Sequence, residues 1–130
     1  MKKKNTLLLF LCLFSLWAVA QEKKPVKIAC VGNSITYGSG IKNQFQNSYP
    51  GLLSQLLGEG YDVRNFGISA RVLLNKGDHP YMHEQKFRDL LAFQPDIVTI
   101  KLGTNDSKPW NWRYGKDFKK DLTEMLDILQ

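Results

Sequence analysis

The sequence has 130 residues, which is enough for one domain but not for two. Its 18 basic and 12 acidic residues give a formal net charge of +6. No basic cluster is interleaved with aromatic residues as in nucleic-acid-binding proteins, so we expect no nucleic acid as a partner. Only one of the two cysteines, Cys30, lies beyond residue 20, which excludes a disulfide within a chain that loses its first 20 residues.

The first 20 residues have the pattern of a secretory signal peptide. Lysines 2–4 form a basic start, residues 7–18 are almost wholly apolar, and Ala18-Val19-Ala20 is typical of a cleavage site. The apolar run is shorter than the roughly 18 residues that a membrane span needs. We predict cleavage before Gln21, which lowers the net charge to +3 because three lysines and no acids are lost. The product would be secreted, periplasmic or extracellular, without a stable membrane anchor.

The rest of the chain alternates between strand and helix patterns. The pattern predicts strands over Val26 to Val31, Tyr61 to Phe66 and Asp96 to Leu102. It predicts helices from Ser48 to Leu57, near His83 to Phe93 and from about Lys116 to the terminus. This alternation implies a parallel sheet with right-handed crossovers. The strands end in Gly32, Gly67 and Gly103, at the edge where α/β sheets bind ligands.

Ser34 follows the first of these glycine turns and is the candidate nucleophile. An ester-cleaving serine needs an accessible hydroxyl, donors aimed at the developing oxyanion, and a base. The Ser34 and Gly67 backbone N–H groups and the Asn105 side-chain amide are the candidate donors. The alternative is that all three are ordinary strand-ending turns, where Gly, Asn and Ser are common.

Three short blocks resemble those of the SGNH (GDSL-type) hydrolases. Gly32-Asn33-Ser34-Ile35-Thr36 is similar to their first block, Asn65-Phe66-Gly67 to their second, and Gly103-Thr104-Asn105-Asp106 to their third. The resemblance implies a flavodoxin-like three-layer α/β/α sandwich. It also implies a serine esterase with Ser34 as nucleophile and with Ser34, Gly67 and Asn105 as oxyanion donors. The chain is most similar to secreted bacterial esterases of acylated carbohydrates, such as sialate O-acetylesterases. We therefore expect hydrolysis of carboxylic esters, acetyl esters of carbohydrate above all, with a small-molecule ester or an acylated glycan as substrate and no cofactor or metal.

Two features depart from the family. The usual aspartate before the serine is Asn33 here; because that aspartate is not the general base, we expect little loss of chemistry. The family's base is a histidine in a late Asp-x-x-His block, whereas this sequence has only His79 and His83, both in its middle. We expect residues 21–130 to be the amino-terminal portion of a single SGNH domain whose carboxyl-terminal part is missing. A catalytically incomplete SGNH-like binding protein is the alternative.

Several other side chains are weaker candidates. Arg71 could bind a substrate carboxylate, and Trp110 and Trp112 could stack on sugar rings; loop contacts and packing are the competing interpretations. Asp78-His79 is a possible substitute base, as is His83, although both histidines fit solvated positions. Cys30 fits a buried strand position better than a catalytic thiol.

Two further classes of site are not supported by the sequence. A dinucleotide-binding domain is disfavoured because Gly32-Asn33-Ser34 does not continue as Gly-x-Gly-x-x-Gly. No cluster has the spacing of metal ligands.

Asp106 is expected to bind backbone N–H groups of its own turn. The sequence leaves the oligomeric state open.

Overall fold

Three parallel strands form the centre of the computed structural model, which describes residues 23–130. The strands are β1 (Val26–Gly32), β2 (Tyr61–Gly67) and β3 (Ile97–Lys101), in the order β2-β1-β3. β1 pairs in parallel with both neighbours. All three predicted strands are confirmed to within one residue at either end. The predicted signal peptide over residues 1–20 lies outside the described residues.

Helices connect the strands. They are α1 (Ser34–Tyr37), α2 (Gln44–Asn47), α3 (Tyr49–Leu57), α4 (Gln85–Phe93), α5 (Pro109–Trp112) and α6 (Phe118–Leu129), with 3₁₀ turns at Tyr81–His83 and Gly115–Asp117. The sequence predicts α3, α4 and α6. The last two begin two residues later than predicted because a 3₁₀ turn precedes each. No helix of residues 23–130 is long and apolar enough to cross a membrane.

The main core lies on one face of the sheet. Ala29, Val31 and Phe66 of the strands pack there with Met125 of α6 and with apolar side chains of α4. The other face is covered by α1 and α3, which lie against β2. Because helices cover both faces of a parallel sheet, the architecture is the α/β/α arrangement that the resemblance to the SGNH hydrolases implies.

β3 is the least covered strand. Its side chains alternate in exposure, with Val98 and Ile100 packed against the core and Ile97 48% exposed. On the face opposite the core, Thr99 accepts or donates one hydrogen bond with the Tyr49 hydroxyl of α3 (3.2 Å). Burial raises the pKa of that hydroxyl, so Tyr49 stays protonated at neutral pH.

The turn that follows β1 requires a glycine. A Cβ on Gly32 would lie 2.1 Å from Thr36 Oγ1 and 2.8 Å from the Lys101 carbonyl oxygen, so β1 can enter α1 only where no side chain intervenes. β2 ends beside the same helix, since a Cβ on Gly67 would lie 2.3 Å from the Tyr37 nitrogen. The carboxyl ends of the strands therefore converge on α1.

Candidate active site

Ser34 is the first residue of α1 and lies directly beyond the end of β1. It is partly exposed. Asn33 caps the helix, since its Oδ1 accepts a hydrogen bond from the Ile35 N–H (3.1 Å). The Ser34 carbonyl accepts from the N–H groups of Gly38 (2.9 Å) and Ser39 (3.0 Å). The backbone that carries the hydroxyl is thus fixed on both sides.

Asn65 of the second block holds α1 against β2. Its Nδ2 donates to the Thr36 carbonyl (2.9 Å), and its Oδ1 accepts from the Gly67 N–H (2.8 Å). The sequence shows Asn65 as part of a block but gives no sign of this role. Asn65 and Gly67 together place the helix that begins with Ser34.

The geometry argues against Gly67 as an oxyanion donor. Its N–H is already bonded to Asn65 Oδ1. The next N–H along the chain, that of Ile68, donates to the Gly32 carbonyl of β1 (3.0 Å). Because successive N–H groups of a strand point to opposite sides, the Gly67 N–H points away from β1 and from Ser34. In this structure Gly67 serves close packing instead.

Asn105 links the loops that follow β2 and β3. It is 8% exposed, and its Nδ2 donates to the Arg71 carbonyl (3.0 Å). An amide nitrogen carries two hydrogens, so one remains to donate elsewhere. The Asn105 carbonyl accepts from Asn111 Nδ2 (3.0 Å). Side chain and backbone of Asn105 are both held at the carboxyl edge of the sheet.

Asp106 anchors the loop that follows β2. Its carboxylate is fully buried and accepts the N–H groups of Leu73 (2.9 and 3.1 Å) and Leu74 (2.8 Å). The prediction that Asp106 binds backbone N–H groups is confirmed, but those groups belong to a different loop from the one expected. Asp106, which belongs to the third block, therefore positions Leu73 and Leu74 in the loop that follows the second block.

Ala70 is a residue of this loop that the sequence gives no reason to select. Its φ of 66° lies in the left-handed region, which a non-glycine residue adopts rarely and which is found at functional sites more often than elsewhere. Its neighbours are tied down: Ser69 Oγ lies 2.7 Å from Ser39 Oγ, and the Arg71 carbonyl accepts from Asn105. Among the residues described, the Ala70 N–H has no acceptor.

No general base adjoins Ser34 in the part of the chain that the structure describes. Both histidines are exposed, and neither shares a hydrogen bond with Ser34. Asp78 does not orient His79, because its carboxylate oxygens accept from Trp110 Nε1 and Asn111 Nδ2 (3.0 Å each). Residues 23–130 also contain no group of three or more His, Cys, Asp or Glu side chains that could hold a metal ion.

The remaining candidates differ in how far they are free to bind a ligand. The Arg71 guanidinium is engaged by Glu84 (2.8 Å) and the Ser69 carbonyl (3.0 Å), which argues against its binding a substrate carboxylate. Trp110 and Trp112 are 55% and 53% exposed. Cys30 is buried and has no disulfide partner, in accord with a packing role.

Comparison with known proteins identifies the family of the chain. The sequence profile of the GDSL-like lipase/acylhydrolase family matches residues 30–130. An acetylxylan esterase of Xylanibacter ruminicola is 54% identical over 111 residues, which are 85% of this chain and 23% of that protein.

Solved structures show the same fold. AlinE4, an SGNH-hydrolase family esterase, superposes with a TM-score of 0.60 at 24% identity, over 82% of this chain and 54% of that one. The D162A mutant of AlinE4 gives 0.61 with the same coverage. The chain thus spans about half the length of these structures and about a quarter of the acetylxylan esterase. The profile covers most of the chain, and the chain belongs to the GDSL-like lipase/acylhydrolase family.

Proposed function

We propose that the protein containing this chain is a serine esterase that removes acetyl groups from carbohydrate, with Ser34 as its nucleophile. The observation that carries the proposal is the arrangement at the carboxyl edge of the sheet. Ser34 begins α1 there, and Asn105 is fixed beside the loop after β2 through its bond to the Arg71 carbonyl. The acetylxylan esterase relative supports an acetyl ester on a sugar as the substrate class.

In the proposed reaction the Ser34 hydroxyl oxygen attacks the acetyl carbonyl carbon as its proton passes to a base. No residue described here supplies that base, and the family resemblance assigns it to a histidine in a later part of the protein. The carbonyl oxygen becomes an oxyanion, and its collapse expels the sugar alcohol, which takes up the proton. Water then attacks the acetyl-serine by the reverse sequence and releases acetate and free Ser34.

The oxyanion would be stabilised by the Ser34 N–H and by the free hydrogen of Asn105 Nδ2. For the third donor we propose the Ala70 N–H in place of that of Gly67. Ala70 precedes Arg71, whose carbonyl contacts Asn105 Nδ2, and its N–H is without an acceptor among the residues described. A strained backbone held by its surroundings is a common way to present such a donor.

The test is acetyl-ester hydrolysis by the full-length protein, with p-nitrophenyl acetate as substrate. We expect Ser34→Ala to abolish turnover and Asn105→Ala to lower kcat by roughly 10²–10³-fold, the usual cost of one oxyanion donor. Ser107→Ala is the matched control, because Ser107 is an exposed serine of the same loop as Asn105. Equal rates for Ser34→Ala and the wild type would refute the proposal.

A second candidate is a binding protein that retains the fold without catalysis. It is favoured by the absence of a histidine bonded to Ser34 in residues 23–130. A full-length protein that binds acetylated sugars yet shows no Ser34-dependent turnover would identify it.

We also propose export after cleavage before Gln21, which mass spectrometry of the mature amino terminus checks.

A further inference from the structure

We propose that the Trp110 indole is the platform on which a sugar ring of the substrate packs, and that Trp112 is not. The inference rests on the proposed function and adds the position of the glycan. The faces of pyranose rings carry C–H groups with partial positive charge, which complement the negative face of an indole. An aromatic platform is useful only if it is exposed and held in place. The two tryptophans are about equally exposed but differ in what holds them: Trp110 is held by a hydrogen bond at its ring edge, and Trp112 by packing of its ring on Gly115.

Trp110 is exposed and fixed. More than half of the residue is exposed, and its Nε1–H donates to Asp78 Oδ2 (3.0 Å). Desolvation raises the pKa of the Asp78 carboxyl, but hydrogen bonds from Trp110 and Asn111 lower it by more. The pKa of Asp78 therefore lies below its usual value of 3.8. Asp78 is therefore ionised at neutral pH, and its bond to the indole is charge-assisted.

A buried amide connects this platform to Asn105. Asn111 is 1% exposed and uses its whole side chain: Oδ1 accepts the Asp78 N–H (2.9 Å), while Nδ2 donates to Asp78 Oδ1 and to the Asn105 carbonyl (3.0 Å each). The indole is thus separated from the proposed oxyanion donor only by Asp78 and Asn111. A ring that packs on Trp110 would be held at a fixed place relative to Asn105 without loss of side-chain freedom on binding.

Trp112 has a packing role instead. A Cβ on Gly115 would lie 2.8 Å from two of its ring atoms, so the indole lies directly on the backbone of the 3₁₀ turn. The Phe118 ring centroid is 6.0 Å away. Trp112 thereby supports the start of α6, so its ring is held by packing although 53% of the residue is exposed.

Charges of both signs lie beside the platform. The Lys108 ammonium lies over the Trp110 ring, 5.6 Å from the centroid, and the ionised Asp78 carboxylate accepts from the indole Nε1–H. Because the two charges offset each other, the platform has no net preference for a charged sugar and suits an uncharged xylan-like carbohydrate.

The experiment compares two substrates in the full-length enzyme, acetylated xylotriose and p-nitrophenyl acetate, the second of which has no sugar. We expect Trp110→Ala to raise KM for the acetylated trisaccharide by about tenfold more than it changes KM for p-nitrophenyl acetate, since tenfold is the upper range for one aromatic ring contact. Trp110→Phe should restore part of the affinity. Asp78→Ala, which frees the indole, should act in the same direction and less strongly.

Trp112→Phe is the matched control and should leave both KM values unchanged while lowering Tm. A second readout needs no turnover: acetyl-free xylotriose should change the tryptophan fluorescence of the wild type but not of Trp110→Phe. An unchanged KM and binding constant in correctly folded Trp110→Ala would overturn the platform. That result is distinct from failure of the esterase proposal, which would appear as Ser34-independent turnover whatever residue occupies position 110.

Discussion

Asp106 illustrates how one side chain can position a loop that is distant in sequence. Its buried carboxylate is the acceptor for the Leu73 and Leu74 N–H groups, which are also buried. We expect Asp106→Ala to lower the free energy of unfolding by roughly 2–6 kcal/mol, because each of two buried donors loses its partner at about 1–3 kcal/mol.

Urea denaturation of the full-length protein measures this cost, and Asp127→Ala is the control, since Asp127 is exposed on α6. A surface substitution of that kind changes stability by no more than about 0.5 kcal/mol. Equal effects of the two substitutions would show that the Asp106 contacts contribute nothing to stability.

Asp78 makes the stability of the protein depend on pH, but only under acidic conditions. Its folded pKa is below 3.8, so the stability that its ionised form contributes is present above that value and lost as the pH falls through the folded pKa. We expect Trp110 fluorescence to be constant from neutral pH down to about 5 and to change only below 3.8, where protonation weakens the bond to Nε1. The transition should be absent in Trp110→Phe; a midpoint near neutral pH would contradict the assignment.

At the scale of the element, α1 depends on its cap. Asn33 is 1% exposed, and its Oδ1 caps the helix while its Nδ2 has no hydrogen-bond partner among residues 23–130. Asn33→Asp keeps the cap oxygen and puts a carboxylate oxygen in place of the unpartnered amide, at the positive end of α1, which offsets the cost of burying the charge. We therefore expect little change in stability and an unchanged acetyl-ester rate. Asn33→Ala should cost about 0.5–2 kcal/mol, the usual value of a lost cap. Thermal unfolding and p-nitrophenyl acetate kinetics check both, and a large loss of rate in Asn33→Asp would show that the amide itself is needed.

The long elements could be predicted because their residues recur with the period of a strand or a helix. β1 and β3 are short, mostly apolar runs, β2 alternates apolar and polar residues, and a glycine ends or closely follows each strand. The leucines of α3 recur at helical spacing, although Leu52 and Leu56 are exposed in residues 23–130. α1, α2 and α5 have four residues each, too few for a period to appear.

The site could be predicted only in part. Block residues such as Ser34 and Asn105 could be selected by type and position. The direction of the Gly67 N–H and the left-handed backbone at Ala70 could not, because they depend on strand register and on tertiary contacts. The same limit applies to Trp110 and Trp112, which look alike in the sequence and have different surroundings in the fold.

At the scale of the whole molecule, β3 leaves apolar surface uncovered within residues 23–130. Ile97 is 48% exposed on this strand, and on α3 Leu52 and Leu56 are 47% and 84% exposed. Exposed strand edges with apolar side chains favour association. We expect residues 23–130, prepared alone, to self-associate as concentration rises, and Ile97→Lys to reduce this. Sedimentation velocity measures it, and a monomer at all concentrations would refute the expectation.

The bonds from Asp106 to the loop after β2 also have a consequence for dynamics. Loop amides usually exchange their hydrogens with solvent quickly, through small local openings. The Leu73 and Leu74 amides cannot do so, since their acceptor lies more than 30 residues further on, beyond β3. They should exchange as slowly as those in the middle of β1, through unfolding of the whole domain. This loop is then too rigid to open and close over a substrate, and the site would be ready before the substrate arrives.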